Sequence, residues 1–107
     1  MADRLSAARD YVAKKPTDRF GLYTLAMELR KLQQWPECFL HFDRLLELYP
    51  DNGPGYYHYA KARQEAGDLS GALGLVQRGL VATTANGDSK TLNELRDLKE
   101  GLELLAD

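Results

Sequence analysis

The sequence matches itself when it is shifted by 34 residues, and this repetition constrains the fold more than any other feature. The shift places Pro16 on Pro50, Gly21 on Gly55, Tyr23 on Tyr57, Ala26 on Ala60, Arg44 on Arg78 and Leu46 on Leu80. A period of about 20–50 residues is typical of chains that stack one small structural unit repeatedly. Because one such unit cannot bury its apolar surface alone, neighbouring units are expected to share a core.

The spacing of apolar residues predicts that each unit is built from helices. Apolar side chains recur every three or four residues over 22–32, 38–49, 56–66, 69–81 and 92–105, the spacing of one helical face. No comparable stretch alternates with the period of two that a half-buried strand shows. These stripes include Leu32, Val81 and Leu105, whose side chains we therefore expect to face inward.

Turn residues divide the chain between these stripes. Pro36 suits the first turn of a helix, while residues 50–55, with two prolines and two glycines, end one helix and let another begin. Gly67 followed by Asp68 predicts a helix end and a new N-cap, and Asp88 is a second N-cap candidate. With a short first helix at about 3–14, the sequence predicts an all-α chain of about six helices.

The 34-residue period of paired helices resembles the tetratricopeptide repeat (TPR) family. In residues 19–52 the family's pattern positions hold Leu22, Leu25, Ala26, Leu29, Cys38, Phe42 and Pro50. In residues 53–86 they hold Tyr56, Tyr59, Ala60, Arg63, Ala72, Val76 and Thr84. Arg63 replaces an aromatic residue, Thr84 replaces the closing proline, and residues 33–36 replace the usual glycine turn.

The resemblance implies one domain over 1–107, a right-handed stack of antiparallel helix pairs. Its expected parts are an N-terminal half-repeat at 3–16, full repeats at 19–52 and 53–86, and a capping helix at 88–106. The leucine stripe of that last helix is expected to face inward, with Leu104 off the stripe and exposed.

The resemblance also implies a binding surface, because the first helix of each pair lines the concave side of such a stack. The groove-facing positions are Phe20, Tyr23, Met27, Arg30 and Lys31 in the first repeat and Pro54, Tyr57, Lys61, Gln64 and Glu65 in the second. Such a surface could hold a peptide or partner protein. In the alternative interpretation, Tyr23 and Tyr57 only cover the junction between repeats.

A second functional hypothesis is self-association, with a homodimer as a structural scaffold. Its contacts would come from partly exposed apolar residues: Phe20, Trp35, Phe39 and Leu104. The family variant that grips a C-terminal carboxylate uses Lys and Asn side chains. Tyr23, Met27 and His58 stand at those positions here, so we do not expect that clamp.

Charge and composition argue against several other classes of function. The net charge of −2 and the pI near 5.7 provide no general attraction to nucleic acid or anionic lipid. No apolar stretch approaches the roughly 20 residues of a membrane span, and the N-terminal residues do not resemble a signal peptide. We therefore expect a cytoplasmic protein that binds neither membrane nor nucleic acid.

Catalytic and metal-binding residues are not indicated either. Cys38 is the only cysteine, and its repeat position is a small buried one, so it is expected to be a core residue. His41, three residues away, could share its helix face, but two ligands do not make a zinc site. We expect no enzyme activity, no metal and no cofactor.

Overall fold

The computed structural model describes residues 3–106, which form six α-helices and no strand. The helices are Arg4–Lys14 (α1), Arg19–Lys31 (α2), Trp35–Leu48 (α3), Gly53–Glu65 (α4), Leu69–Asn86 (α5) and Ser89–Leu105 (α6). The prediction of an all-α chain with six helices is confirmed. Within the described range, no helix is long and apolar enough to cross a membrane.

The chain divides into two compact units, residues 1–50 with α1 to α3 and residues 51–107 with α4 to α6. This division falls two residues before the predicted junction between the repeats. The assignment of one domain, with a half-repeat, two repeats and a cap, stays a prediction.

An Asp or Asn side chain caps five of the helices at their N-termini. In each case the side-chain oxygen accepts a hydrogen bond, 2.7–3.2 Å long, from the backbone N–H three residues later. The capping residues are Asp3, Asp18, Asn52, Asp68 and Asp88. The predicted caps Asp68 and Asp88 are confirmed, and Pro36 lies in the first turn of α3 as expected.

The turn between α2 and α3 shows how the missing glycine is replaced. Gly67 follows α4 with a φ of 84°, in the left-handed region that glycine adopts most easily. The 34-residue register places Gln33 on Gly67, and Gln33 has a φ of 58°. The turn therefore keeps its backbone conformation although its residue has a Cβ.

Arg63, where the family has an aromatic residue, joins the end of α4 to the start of α5. Its guanidinium donates from Nη1 to Asp68 Oδ2 and from Nη2 to the buried Tyr59 hydroxyl, both at 2.8 Å. Asp68 Oδ1 accepts the backbone N–H of Gly71 at 2.9 Å. The Gly71 N–H bond and then Arg63 hold the pKa of the Asp68 carboxyl below its ordinary value of 3.8.

This lowered pKa predicts a pH-dependent effect of Asp68→Asn. Asparagine can still cap α5 but cannot carry the charge, so the variant should be less stable at pH 7 by at most about 1 kcal/mol. Because the folded pKa is depressed, this contribution is present above the unfolded pKa and disappears as the pH falls through the folded pKa. Urea unfolding of both proteins at pH 7 and below pH 4 measures the difference. The exposed Asp51→Asn is the control, and an equal deficit at both pH values contradicts the prediction.

The core of the 1–50 unit lies where α2 packs against α3 on one side and α1 on the other. Its buried side chains are Ala8 of α1, Leu22, Leu25, Ala26 and Leu29 of α2, and Cys38, Phe42, Leu45 and Leu46 of α3. The Cys38 thiol donates to the Ala26 carbonyl oxygen at 3.4 Å, which confirms the predicted buried position. Arg9 of α1 pairs with Glu37 of α3, with Nε donating at 3.0 Å.

In the 51–107 unit each of the three helices packs against the other two. Its largest fully buried side chains are Tyr59, Val76, Thr83, Leu95 and Leu102. The helices approach closely at Gly79 of α5, where a Cβ would lie 2.8 Å from both Tyr56 Cβ and Leu95 Cδ1. A residue without a side chain is thus required at this junction.

Three apolar residues that were expected to face inward are exposed instead. Leu32 is 52% exposed, Val81 64% and Leu105 61%. Leu32 is the C-cap of α2, where the helical face ends. Val81 follows the buried Val76 by five residues, about 140° around the helix, so the stripe could not include both. Leu105 is in the last turn of α6, beside Leu104, which is exposed as predicted.

Candidate functional site

The 51–107 unit has an open groove of about 540 Å³ between α4 and α6. Tyr57, Lys61 and Gln64 of α4 line one wall, and each is half-buried. Their spacing of four and three residues places them along one helical stripe, beside the α4 residues that are buried in the core. Three of the predicted site residues therefore lie together in one groove.

The opposite wall of the groove belongs to α6. Its lining residues are Glu94, Asp97, Leu98, Gly101, Leu104 and Leu105. Leu104 is 81% exposed, and a Cβ on Gly101 would meet no atom within 4 Å, so this wall is open to an incoming ligand. An exposed pair of leucines beside a groove is the kind of apolar surface that marks a binding site.

The positive and negative charges of this groove lie on opposite walls. Lys61 contributes the cation on the α4 side, whereas Glu94 and Asp97 contribute carboxylates on the α6 side. The Tyr57 ring lies edge-on to the His58 ring, with centroids 5.2 Å apart. The groove can thus present apolar contact area to a ligand and separate positive and negative groups at its margins.

In the 1–50 unit, Tyr23, Met27 and Arg30 form the matching stripe on α2. The 34-residue register places them on Tyr57, Lys61 and Gln64, and all three are half-buried. Arg30 Nη1 lies 3.9 Å from Met27 Sδ. Burial raises the pKa of the Tyr23 hydroxyl, and the positive charge of Arg30 opposes that shift.

The other two predicted residues of α2 lie outside that half-buried stripe. Phe20 is 69% exposed and lines a different cavity, between α1 and α2. Lys31 is exposed, and its Nζ lies 3.4 Å from Glu28 Oε1 one turn back. Their assignment to a peptide groove stays a prediction.

The sequence interpretation missed the α6 wall because it treated the last helix only as a cap. The 34-residue register does indicate that α6 is equivalent to α4, because a shift of 34 moves α4 onto residues 87–99, most of which lie in α6. In this register α6 aligns with α2 and α4, the first helices of the two predicted repeats. First helices carry the predicted binding stripe, which is why α6 could have been considered.

Cys38 and His41, the residues with nucleophilic or metal-ligating side chains that the sequence analysis considered, lie outside the α4/α6 groove. Cys38 is fully buried, and His41 Nδ1 lies 2.9 Å from the Glu37 carbonyl oxygen in its own helix. Among residues 3–106, no group of three His, Cys, Asp or Glu side chains comes together as a metal site would require.

Comparison with known proteins identifies the family. No family model matches the chain. A TPR repeat-containing protein of Pseudomonas aeruginosa is 36% identical over 77 residues, which cover 72% of this chain and 70% of that protein. The chain belongs to the TPR family. TPR domains generally bind protein partners and generally do not catalyse reactions.

Solved structures agree with this TPR assignment. The crystal structure of a tetratricopeptide repeat domain protein from Salinibacter ruber superimposes with a TM-score of 0.73 at 31% identity, covering 82% of this chain and 99% of that one. The solution structure of a Bordetella parapertussis protein has a TM-score of 0.82 at 21% identity, covering 96% and 90%. The second match shows likeness of fold.

Proposed function

We propose that this TPR protein is a non-catalytic interaction module that binds a peptide segment of a partner protein, with the α4/α6 groove as its main contact. The observation that carries the proposal is the meeting of Tyr57, Lys61 and Gln64 with the exposed Leu104 and Leu105 in one groove. An aromatic ring beside exposed leucines offers much contact area, and interface energies concentrate on such anchors.

The groove's charges indicate what a bound segment should look like. Apolar side chains would lie against Tyr57, Leu98 and Leu104. An acidic group would lie near Lys61, and a basic group would lie near Glu94 and Asp97 on the other wall. We therefore propose a segment with apolar anchors flanked by charges of both signs.

The test is selection of peptides from a random display library on the full chain, followed by affinity measurement with single variants. For a selected peptide, Tyr57→Ala and Leu104→Ala are each expected to weaken binding at least tenfold, or about 1.4 kcal/mol. Lys61→Glu should disfavour peptides with an acidic group near that side chain. Calorimetry provides the dissociation constants, and circular dichroism confirms unchanged helicity.

Controls come from exposed apolar residues outside the groove. Leu40→Ala and Val81→Ala remove side chains that are 62% and 64% exposed, and neither should change binding. Tyr23→Ala tests separately whether the α2 stripe takes part. The proposal fails if no peptide is selected, or if affinity is unaffected by the groove variants and falls with a control variant.

The proposal also includes the finer expectations about location and chemistry. Cys38 is buried and bonded to a backbone carbonyl, which supports a structural rather than a nucleophilic role. We propose a cytoplasmic location, where a lone cysteine stays reduced. Self-association is the second candidate function, and the exposure of Phe20 and Leu104, 69% and 81%, favours it.

A further inference from the structure

The α6 wall of the α4/α6 groove contains a glycine that nothing within the described chain requires. Gly101 lies within α6, where alanine would favour the helix more than glycine does. Its φ is not positive, unlike that of Gly67 and Gly87, and a Cβ on it would meet no atom within 4 Å. At Gly79, by contrast, a Cβ would lie 2.8 Å from Tyr56 Cβ. Gly101 therefore leaves the backbone of α6 open at the groove without a reason inside residues 3–106.

Leucines stand on both sides of this glycine along α6. Leu98 lies three residues before Gly101 and Leu105 four residues after it, a spacing that places all three on one face of the helix. The missing side chain therefore forms a hollow between two apolar side chains. Ridges of side chains on one helix pack into such hollows on another, and a glycine lets the two backbones approach closely. The hollow thus fits the side of another helix.

The hydrogen-bonding groups of the groove favour a helical segment over an extended one. An extended segment brings backbone N–H and C=O groups that still need partners, whereas a helix satisfies its own. The α4 wall has donors in Tyr57, Lys61 and Gln64. The polar lining residues of α6 are Glu94 and Asp97, whose carboxylates accept hydrogen bonds at neutral pH but do not donate them. Backbone carbonyls of an extended segment would therefore find no side-chain donor among the lining residues of α6.

The charged side chains of the groove are available to a partner. Among residues 3–106, the side chains of Lys61, Glu94 and Asp97 form no hydrogen bond or ion pair. Asp97 follows Glu94 by three residues, so the two carboxylates are neighbours on the surface of α6. A Lys or Arg on the bound segment would meet both negative charges there. Charge complementarity therefore favours a basic side chain on the flank of the segment that faces α6.

We propose that the segment bound in the α4/α6 groove is an amphipathic helix of a partner protein, packed across Gly101, with a basic side chain beside Glu94 and Asp97. The lining of α6 runs from Glu94 to Leu105, a rise of about 16 Å, which three turns of a bound helix match. This inference rests on the proposed function, because it assigns the conformation and chemistry of the segment that the groove binds.

The test uses two peptide display libraries selected on the full chain. The first contains peptides of about 18 residues, five turns of helix, with Leu or Met at helical spacing and random residues elsewhere. The second has a proline at every third position, which prevents a helix. Binders that are weakened by Tyr57→Ala should come from the first library, and most should carry Lys or Arg beside their apolar stripe. Circular dichroism should show that these peptides gain helicity on binding.

Gly101→Ala is the decisive variant, because it should stabilise the free chain and yet weaken binding. Its methyl group meets nothing in the chain, so the midpoint of thermal unfolding should rise. The same methyl group would occupy the hollow, so the affinity for a helical peptide from the first library should fall at least about fivefold. Gly74→Ala is the matched control, since its Cβ also meets no atom and Gly74 does not line the groove. It should raise the midpoint and leave the affinity unchanged.

Charge reversal tests the basic flank of the bound helix. Asp97→Lys should weaken a selected peptide that has Arg on this flank at least about fivefold, and replacing that Arg by Glu should restore affinity for the variant. Asp51→Lys, at an exposed position outside the groove, is the control and should have no effect.

The outcomes separate this inference from the proposed function. Tyr57-dependent binders from the proline library alone would mean that the groove binds an extended segment, so the proposed function would stand and the helical inference would fail. An unchanged affinity in Gly101→Ala, or in Asp97→Lys, would also overturn the inference. If neither library yields a Tyr57-dependent binder, the inference and the proposed function both fail.

Discussion

Phe42→Ala is expected to destabilise the 1–50 unit by about 3–5 kcal/mol. Phe42 is fully buried among residues contributed by α2 and α3, so its removal leaves a cavity that the packed helices cannot close completely. Since domains of this size are stable by only about 5–15 kcal/mol, the loss should be visible at room temperature. Urea unfolding followed by circular dichroism measures it, and amide hydrogen exchange in α2 and α3 locates it.

The control for this prediction lies two residues earlier on the same helix. Leu40 is 62% exposed, so Leu40→Ala should change the unfolding free energy by no more than about 0.5 kcal/mol. Equal losses from the two substitutions would mean that α3 does not bury the face described above.

Two glycines of α5 should respond to alanine in opposite directions. In a helix interior, alanine is more favourable than glycine by about 1 kcal/mol. At Gly74 a Cβ meets no atom within 4 Å, so Gly74→Ala should stabilise the 51–107 unit by about 0.5–1 kcal/mol. At Gly79 the same Cβ would lie 2.8 Å from Tyr56 Cβ, an atom that is fixed to the backbone of α4. Overpacking costs of about 1–3 kcal/mol should exceed the propensity gain there, so Gly79→Ala should destabilise.

Thermal unfolding of the two variants beside the original chain provides the comparison. The midpoint should rise for Gly74→Ala and fall for Gly79→Ala. A rise in both would show that α4 and α6 can move apart at Gly79 at little cost, contrary to the close approach in the structure. A fall in both would show that helix propensity has little influence on α5.

The helices and their ends were predictable because the forces that define them act within a few residues. The three-and-four spacing identified five of the six helices, and the capping roles of Asp68 and Asp88 followed from residues beside them in the sequence. The burial of Cys38 and Phe42 was also predictable, since their register positions require small or apolar groups. The backbone conformation of Gln33 was not predictable in this way, because nothing in the residue type indicates that a glutamine would adopt the left-handed conformation of Gly67.

The exposure of residues at the margins of the apolar stripes was less predictable. Leu32, Val81 and Leu105 are apolar residues within or beside an apolar stripe, yet each is exposed. A stripe shows which way a side chain points only while the period is followed closely and the helix continues. Whether another helix is present to cover that direction depends on packing between distant parts of the chain.

One part of the candidate site was predictable from the sequence and another part was not. The stripes of Tyr23, Met27 and Arg30 and of Tyr57, Lys61 and Gln64 could be read from the register, because a repeated helix repeats its faces. The register aligns α6 with α2 and α4, but the groove wall that Leu104 and Leu105 form and the separate cavity beside Phe20 were visible only in the structure. The sequence determines the helical faces and their repetition, because both follow from local periodicity. A groove or an exposed apolar face forms only when the helices pack, because it depends on which helix lies against each face.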